Sequence, residues 1–151
     1  MKIREILISE NGTIDPAVAR SFVRSADERP IKLDCLRATI QVRRDGTFTV
    51  KADYPESARK GKQWLEVNFG KEIQVGQEFS GLVVRQLSFG SFLLLTYRLG
   101  INEGPVEGLL RLNVYPTNPP KVGDLLAVRI SEIDTLNRIV LEPAELNPTT
   151  K

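Results

Sequence analysis

Gly81-Leu82-Val83-Val84-Arg85-Gln86-Leu87-Ser88-Phe89-Gly90-Ser91-Phe92-Leu93 decides the fold of this chain. It reads as two short strands that meet at a glycine, with two phenylalanines three positions apart. Further β-rich runs follow, at Glu107-Gly108-Leu109-Leu110-Arg111, Val128-Arg129-Ile130 and Asn137-Arg138-Ile139-Val140-Leu141. Lys121-Val122-Gly123-Asp124 and Ile133-Asp134 belong to the same series. Short strands separated by glycine, proline and asparagine point to a small, partly closed antiparallel barrel rather than a helical or doubly wound domain.

Upstream of residue 73 the pattern changes. Arg4 to Ile8 reads as a strand, Glu10-Asn11-Gly12-Thr13 as a turn, and Asp15-Pro16 as a helix start. An aspartate there can accept from an orphan amide, and proline gives up a donor the first turn does not use. Val18, Phe22 and Ala26 then fall on one face of a helix over Pro16–Ala26, ended before Pro30. Leu36, Ala38, Ile40 and Val42 alternate with polar residues as in a sheet wet on one side, out of phase with Ile31, Leu33 and Cys35. A bulge or break near Cys35 reconciles the two. Arg44-Asp45-Gly46-Thr47 is a tight hairpin, and Phe48, Val50 and Ala52 alternate along the return strand. Pro55 to Gln63 reads as a polar loop, and Leu65, Val67 and Phe69 as a further short strand.

The expected architecture is mostly β: a small α+β unit over residues 1–72, a five-stranded antiparallel barrel over 73–145, and a polar tail over 146–151. Composition limits what such a chain does. Its 151 residues include one cysteine, Cys35, and no histidine. An intramolecular disulfide, a cysteine-rich zinc site, histidine-dependent triads and the common catalytic zinc sites are thereby excluded. No metal site and no cofactor is expected. No run is long and apolar enough to span a membrane, and the N-terminus lacks the features of a secretory signal, so a cytoplasmic, membrane-free protein is the expectation. Net charge is only +2, unevenly spread: residues 1–75 carry 14 basic and 11 acidic side chains, residues 76–150 carry 6 and 8.

Residues 76–143 resemble the RNA-binding repeat of ribosomal protein S-one, an OB-fold module. The shared pattern is carried by Gly81, Val83, Leu87, Phe89-Gly90-Ser91-Phe92, Gly108-Leu109, Val122-Gly123-Asp124, Asp134 and Arg138. The resemblance implies an OB-type barrel whose RNA-facing residues are Phe89, Phe92, Arg111, Asp134 and Arg138, with Arg85 added on the first strand. The chemistry suits those roles, since bases stack on aromatic rings at roughly 1–3 kcal/mol each and arginine pairs with phosphate and stacks. Three departures stand out: Arg111 replaces the family's histidine, Leu99 to Pro105 is long, and Val114 to Pro120 is short and proline-rich.

Each residue has a plainer reading beside this one. Phe89 is readable as core, although its turn position favours a surface ring; Phe92 is equally readable as core, Asp134 as the holder of a β-turn, and Arg111 and Arg138 as solvated charges. Because the barrel segment is mildly acidic, phosphate attraction is expected from Arg43, Arg44, Arg59, Lys60 and Lys62, with Trp64 as a further stacking ring or as core. The expected function is non-enzymatic binding of single-stranded RNA, or of an RNA surface, in a ribosome-associated, ribonucleoprotein or polymerase complex of translation, transcription or RNA decay. The alternative is a protein-interaction adaptor with the same barrel, favoured by its acidic balance. An enzyme ranks third, for want of a nucleophile–base pair or metal cluster.

Overall fold

A computed structural model describes residues 8–23, 30–98, 104–111 and 120–144. The chain divides into two compact units, Met1–Phe69 and Gly70–Lys151.

The first unit is a four-stranded antiparallel sheet with a helix across one face. Strands β1 (Ile8–Thr13), β2 (Ile31–Leu33), β3 (Ala38–Val42) and β4 (Thr47–Ala52) lie in the order β1-β4-β3-β2. The segment Glu10–Thr13 is strand and not the expected turn, paired with β4 along its whole length. Gly12 serves close approach there: a Cβ would stand 2.5 Å from the Phe48 ring. The short helix α1 (Pro16–Phe22) starts as expected, with the Ala17 N–H donating to Asp15 Oδ1 at 2.8 Å; Ala26 lies outside the described residues. The break near Cys35 is a single 3-10 turn over Asp34–Leu36, closed by Arg37 in the left-handed region at φ 51°. The Asp45-Gly46 hairpin forms as expected, with Gly46 at φ +94° and Asp45 Oδ1 accepting from the Thr47 N–H at 2.9 Å.

The expected loop at Pro55–Gln63 and strand at Leu65–Phe69 are instead one helix, α2 (Pro55–Asn68). Pro55 fills its first turn, and Ala58, Gly61, Trp64, Leu65 and Asn68 are buried at helical spacing. That stripe packs toward the sheet face carrying Ile40, Phe48 and Val50, all fully buried.

The second unit is a closed five-stranded barrel. Its strands β5 (Glu78–Leu87), β6 (Gly90–Arg98), β7 (Gly104–Arg111), β8 (Leu125–Ile133) and β9 (Ile139–Pro143) run around it in the order β5-β6-β7-β9-β8. This is the expected OB-type barrel with one refinement: β7 and β9 pair parallel, so closure is not wholly antiparallel. Phe79, Val83, Leu93, Leu110, Ile130 and Leu141 fill the interior. Residues 99–103 and 112–119, which hold most of the departures noted in the sequence, lie outside the described residues, as does the tail. No helix among the described residues is long and apolar enough to cross a membrane.

Candidate nucleic-acid interface

The outer face of β5, β6 and β7 follows from two-residue alternation along each strand. Leu93 and Leu110 point inward and are buried, which turns Phe92, Leu109 and Arg111 outward. A register shift between Val83 and Arg85 then sets Arg85 directly opposite Phe92. Its guanidinium carbon lies 4.7 Å from the Phe92 ring centroid, and Nη2 donates to Glu107 Oε1 at 2.9 Å. Phe92 is therefore half-buried, one face of its ring covered by an arginine.

Phe89 occupies the two-residue turn Ser88–Phe89, where no partner strand covers it, and remains 55% exposed. Its ring meets Phe92 edge-on, with centroids 6.4 Å apart. Gly90 follows because the strands nearly touch: a Cβ there would stand 2.5 Å from the Leu110 carbonyl oxygen. Arg111 pairs in register with Gly90, at the same end of the face as Phe89, and is exposed. Phe89, Phe92, Arg85 and Arg111 thus share one surface.

Asp134 and Arg138 have a different relation. Asp134 Oδ1 accepts from the Leu136 N–H at 2.9 Å and the Arg138 N–H at 2.8 Å, while Oδ2 accepts from Arg138 Nε at 2.7 Å. Asn137 completes this turn in the left-handed region at φ 63°. The Arg138 amide above all, with desolvation opposing it and the Arg138 side chain helping, holds the Asp134 carboxyl below its ordinary value. Asp134 is the holder of the turn. Arg138, mostly exposed, stands just before Ile139, which pairs with Gly108, so it flanks the face at the Glu107 end.

Glu107 was not among the sequence-derived candidates, yet it shares the face and balances Arg85. Its place beside Gly108 on an alternating strand was the available signal.

The basic residues of the first unit do not form one track. Arg43 lies on the open sheet face, and Arg44 Nη1 donates to the Val23 carbonyl at 2.8 Å. Arg59, Lys60 and Lys62 lie on α2, across the sheet, with Lys60 Nζ 3.7 Å from Glu56 and Lys62 Nζ 3.8 Å from Glu10. Trp64 is 0% exposed, so its ring is core and presents no stacking surface. Cys35 is half-buried, and burial raises its thiol pKa.

Comparison with known proteins adds a sequence-level likeness across both units. The chain is 32% identical over 146 residues to the polyribonucleotide nucleotidyltransferase of Caldicellulosiruptor saccharolyticus, a match covering 91% of this chain and 20% of that protein. The enzyme of the same name from Dehalococcoides mccartyi is 31% identical over 134 residues, covering 85% and 18%. That from Deinococcus radiodurans is 28% identical over 141 residues, covering 88% and 17%. The chain spans about a fifth of the length of the curated relatives it matches. No protein-family model matches it. Among solved structures, an uncharacterized protein from Methanocaldococcus jannaschii aligns over 51% of this chain and 100% of its own, at 22% identity and a TM-score of 0.41.

Proposed function

We propose that this chain is a non-catalytic RNA-binding module that takes single-stranded RNA on the outer face of β5, β6 and β7, with a barrel of the S-one kind. The observation that carries the reading is the exposed Phe89 ring set edge-on to Phe92, with Arg85 over Phe92 and Arg111 across from Gly90. Exposed rings offer stacking platforms for unpaired bases, and flanking guanidinium groups meet phosphates. The relatives' name speaks of polyribonucleotides, which supports RNA as the ligand. A non-catalytic role suits the acids beside the face, since Glu107 and Asp134 are each tied to an arginine. The proposed setting is a cytoplasmic complex of translation, transcription or RNA decay.

A protein-interaction adaptor is the second reading. Glu107 favours it, because a carboxylate on the face repels phosphate and leaves Arg85 partly neutralised. Titration of the intact chain with labelled single-stranded RNA at several salt concentrations separates the two. RNA binding gives saturable affinity that falls linearly on a log–log salt plot, at ~0.7 per phosphate contact. Absence of saturable binding at low salt overturns the RNA reading.

A further inference from the structure

The sheet of the first unit has a second face, turned away from α2. Alternation sends Ala38, Ile40, Val42, Phe48, Val50 and Ala52 toward the helix and leaves Thr39, Gln41, Thr47, Thr49 and Lys51 outward. Register lines these up in rows. Ser9, Lys51, Thr39 and Lys32 stand side by side across all four strands. Asn11, Thr49 and Gln41 form the next row, and Thr13 and Thr47 a third. Arg43 closes the array, with Nη2 donating to Thr49 Oγ1 at 2.8 Å and Nη1 to Thr47 Oγ1 at 3.4 Å. A groove of about 280 Å³ runs between Thr39, Gln41, Arg43, Thr49 and Lys51.

These rows hold hydroxyls, amides and cations, but no carboxylate and no aromatic ring. The two acids that flank β4 are occupied. Asp53 lies 3.7 Å from Arg37, and Asp45 Oδ1 accepts from both the Thr47 amide and its hydroxyl. Glu10 is on the opposite face with Lys62. Lysine, arginine, threonine, serine, asparagine and glutamine are the side chains that contact phosphate and sugar in nucleic-acid complexes. Lys32 and Lys51 stand two strands apart, ~10 Å, and Arg43 is four residues from Thr39 along β3, ~13 Å. That spread suits successive phosphates of a strand better than one phosphate group.

We infer that this sheet face binds the phosphodiester backbone of a nucleic-acid strand, through Lys32, Lys51 and Arg43, without reading its bases. The inference rests on the RNA-binding reading above and supplies what the barrel lacks, since residues 76–150 carry 6 basic against 8 acidic side chains. With no ring to stack on, the face contributes affinity that is sensitive to salt and indifferent to sequence.

The test uses the whole chain and two single-stranded RNAs of different sequence, each of roughly 20 nucleotides, longer than the ~4–16 a single OB-type barrel takes. Binding is followed by fluorescence anisotropy from about 50 to 200 mM salt. The double substitution Lys32→Gln, Lys51→Gln should flatten the salt slope by about 1.4, two contacts at ~0.7 each, and equally for both RNAs. Lys32→Arg, Lys51→Arg should retain the slope, and both doubles should melt as the unsubstituted chain does. Phe89→Ala should weaken binding with its slope unchanged, which keeps the two surfaces apart. An unchanged slope in the glutamine double, with Phe89→Ala impaired, overturns the sheet-face inference and leaves the barrel reading standing. A lysine dependence confined to one RNA sequence overturns it too. Failure of the unsubstituted chain to bind either RNA sinks both, and turns the face toward an acidic protein partner.

Discussion

Phe89→Ala separates a ligand-facing ring from a core ring. A core phenylalanine truncated to alanine costs roughly 3–5 kcal/mol. Phe89 is 55% exposed, and among the described residues it meets the Phe92 ring edge-on at 6.4 Å. Such a pair adds about 0.5–1.5 kcal/mol beyond burial, so we expect about 1 kcal/mol of lost stability and a melting shift near 4–8 °C for a unit of this size. If a base stacks on the ring, losing that platform costs about 1–3 kcal/mol of binding. At about 1.4 kcal/mol per tenfold, affinity should fall roughly 5- to 150-fold. Thermal unfolding followed by circular dichroism reads the first quantity, and fluorescence anisotropy with a labelled single-stranded RNA reads the second. Phe92→Ala is the poorer probe, because its half-buried ring also supports Arg85. Unchanged affinity in a folded Phe89→Ala variant would refute the reasoning, and so would a stability loss of core size.

Three further outcomes follow from the same geometry. Arg111→His keeps a flat, nitrogen-rich group beside Phe89 but loses its charge above neutrality, so RNA affinity should become pH-dependent between about pH 5 and 8; a flat profile places Arg111 off the ligand. Asp134 is held below its ordinary carboxyl range in the fold, so the stability it contributes is full above about pH 4, where the unfolded chain also ionises, and is lost as pH falls through the lower folded value. Melting temperatures from pH 6 down to about 2 should show Asp134→Asn losing part of the acid-side slope seen in the unsubstituted chain. Trp64→Ala opens the core under α2, where the ring is 0% exposed, and should cost about 3–5 kcal/mol of stability in the first unit; a variant with native melting behaviour would contradict that burial.

The barrel was legible because its signals are local. Short alternating runs, the Phe89-Gly90 turn and the Gly108-Leu109 and Gly123-Asp124 elements each decide structure within a few residues. The parallel pairing of β7 with β9 was not legible, since it joins segments about thirty residues apart and depends on closure of the whole sheet. Helix α2 was misread for a chemical reason. Gly61 amid Arg59, Lys60 and Lys62 looks like a loop, and Leu65, Val67 and Phe69 alternate like a strand. The helical stripe Ala58, Gly61, Trp64, Leu65 and Asn68 includes a glycine and an asparagine, so its buried face is poorly marked by hydrophobicity. Asn11-Gly12 likewise imitates a turn, although Gly12 is a strand residue making room for the Phe48 ring. At the candidate site, the turn position of Phe89 foretold its exposure. The pairing of Glu107 with Arg85 was hidden, because it depends on a register shift in β5.

The central claim is that RNA lies on the outer face of β5, β6 and β7, and mapping of backbone amide resonances during titration with a short single-stranded RNA tests it most directly. The account predicts saturable shifts clustered at Arg85, Phe89, Gly90, Phe92, Leu109 and Arg111, with the inward-facing Val83, Leu93 and Leu141 little changed. Saturable binding that leaves Phe89 to Phe92 and Arg111 unshifted would contradict it.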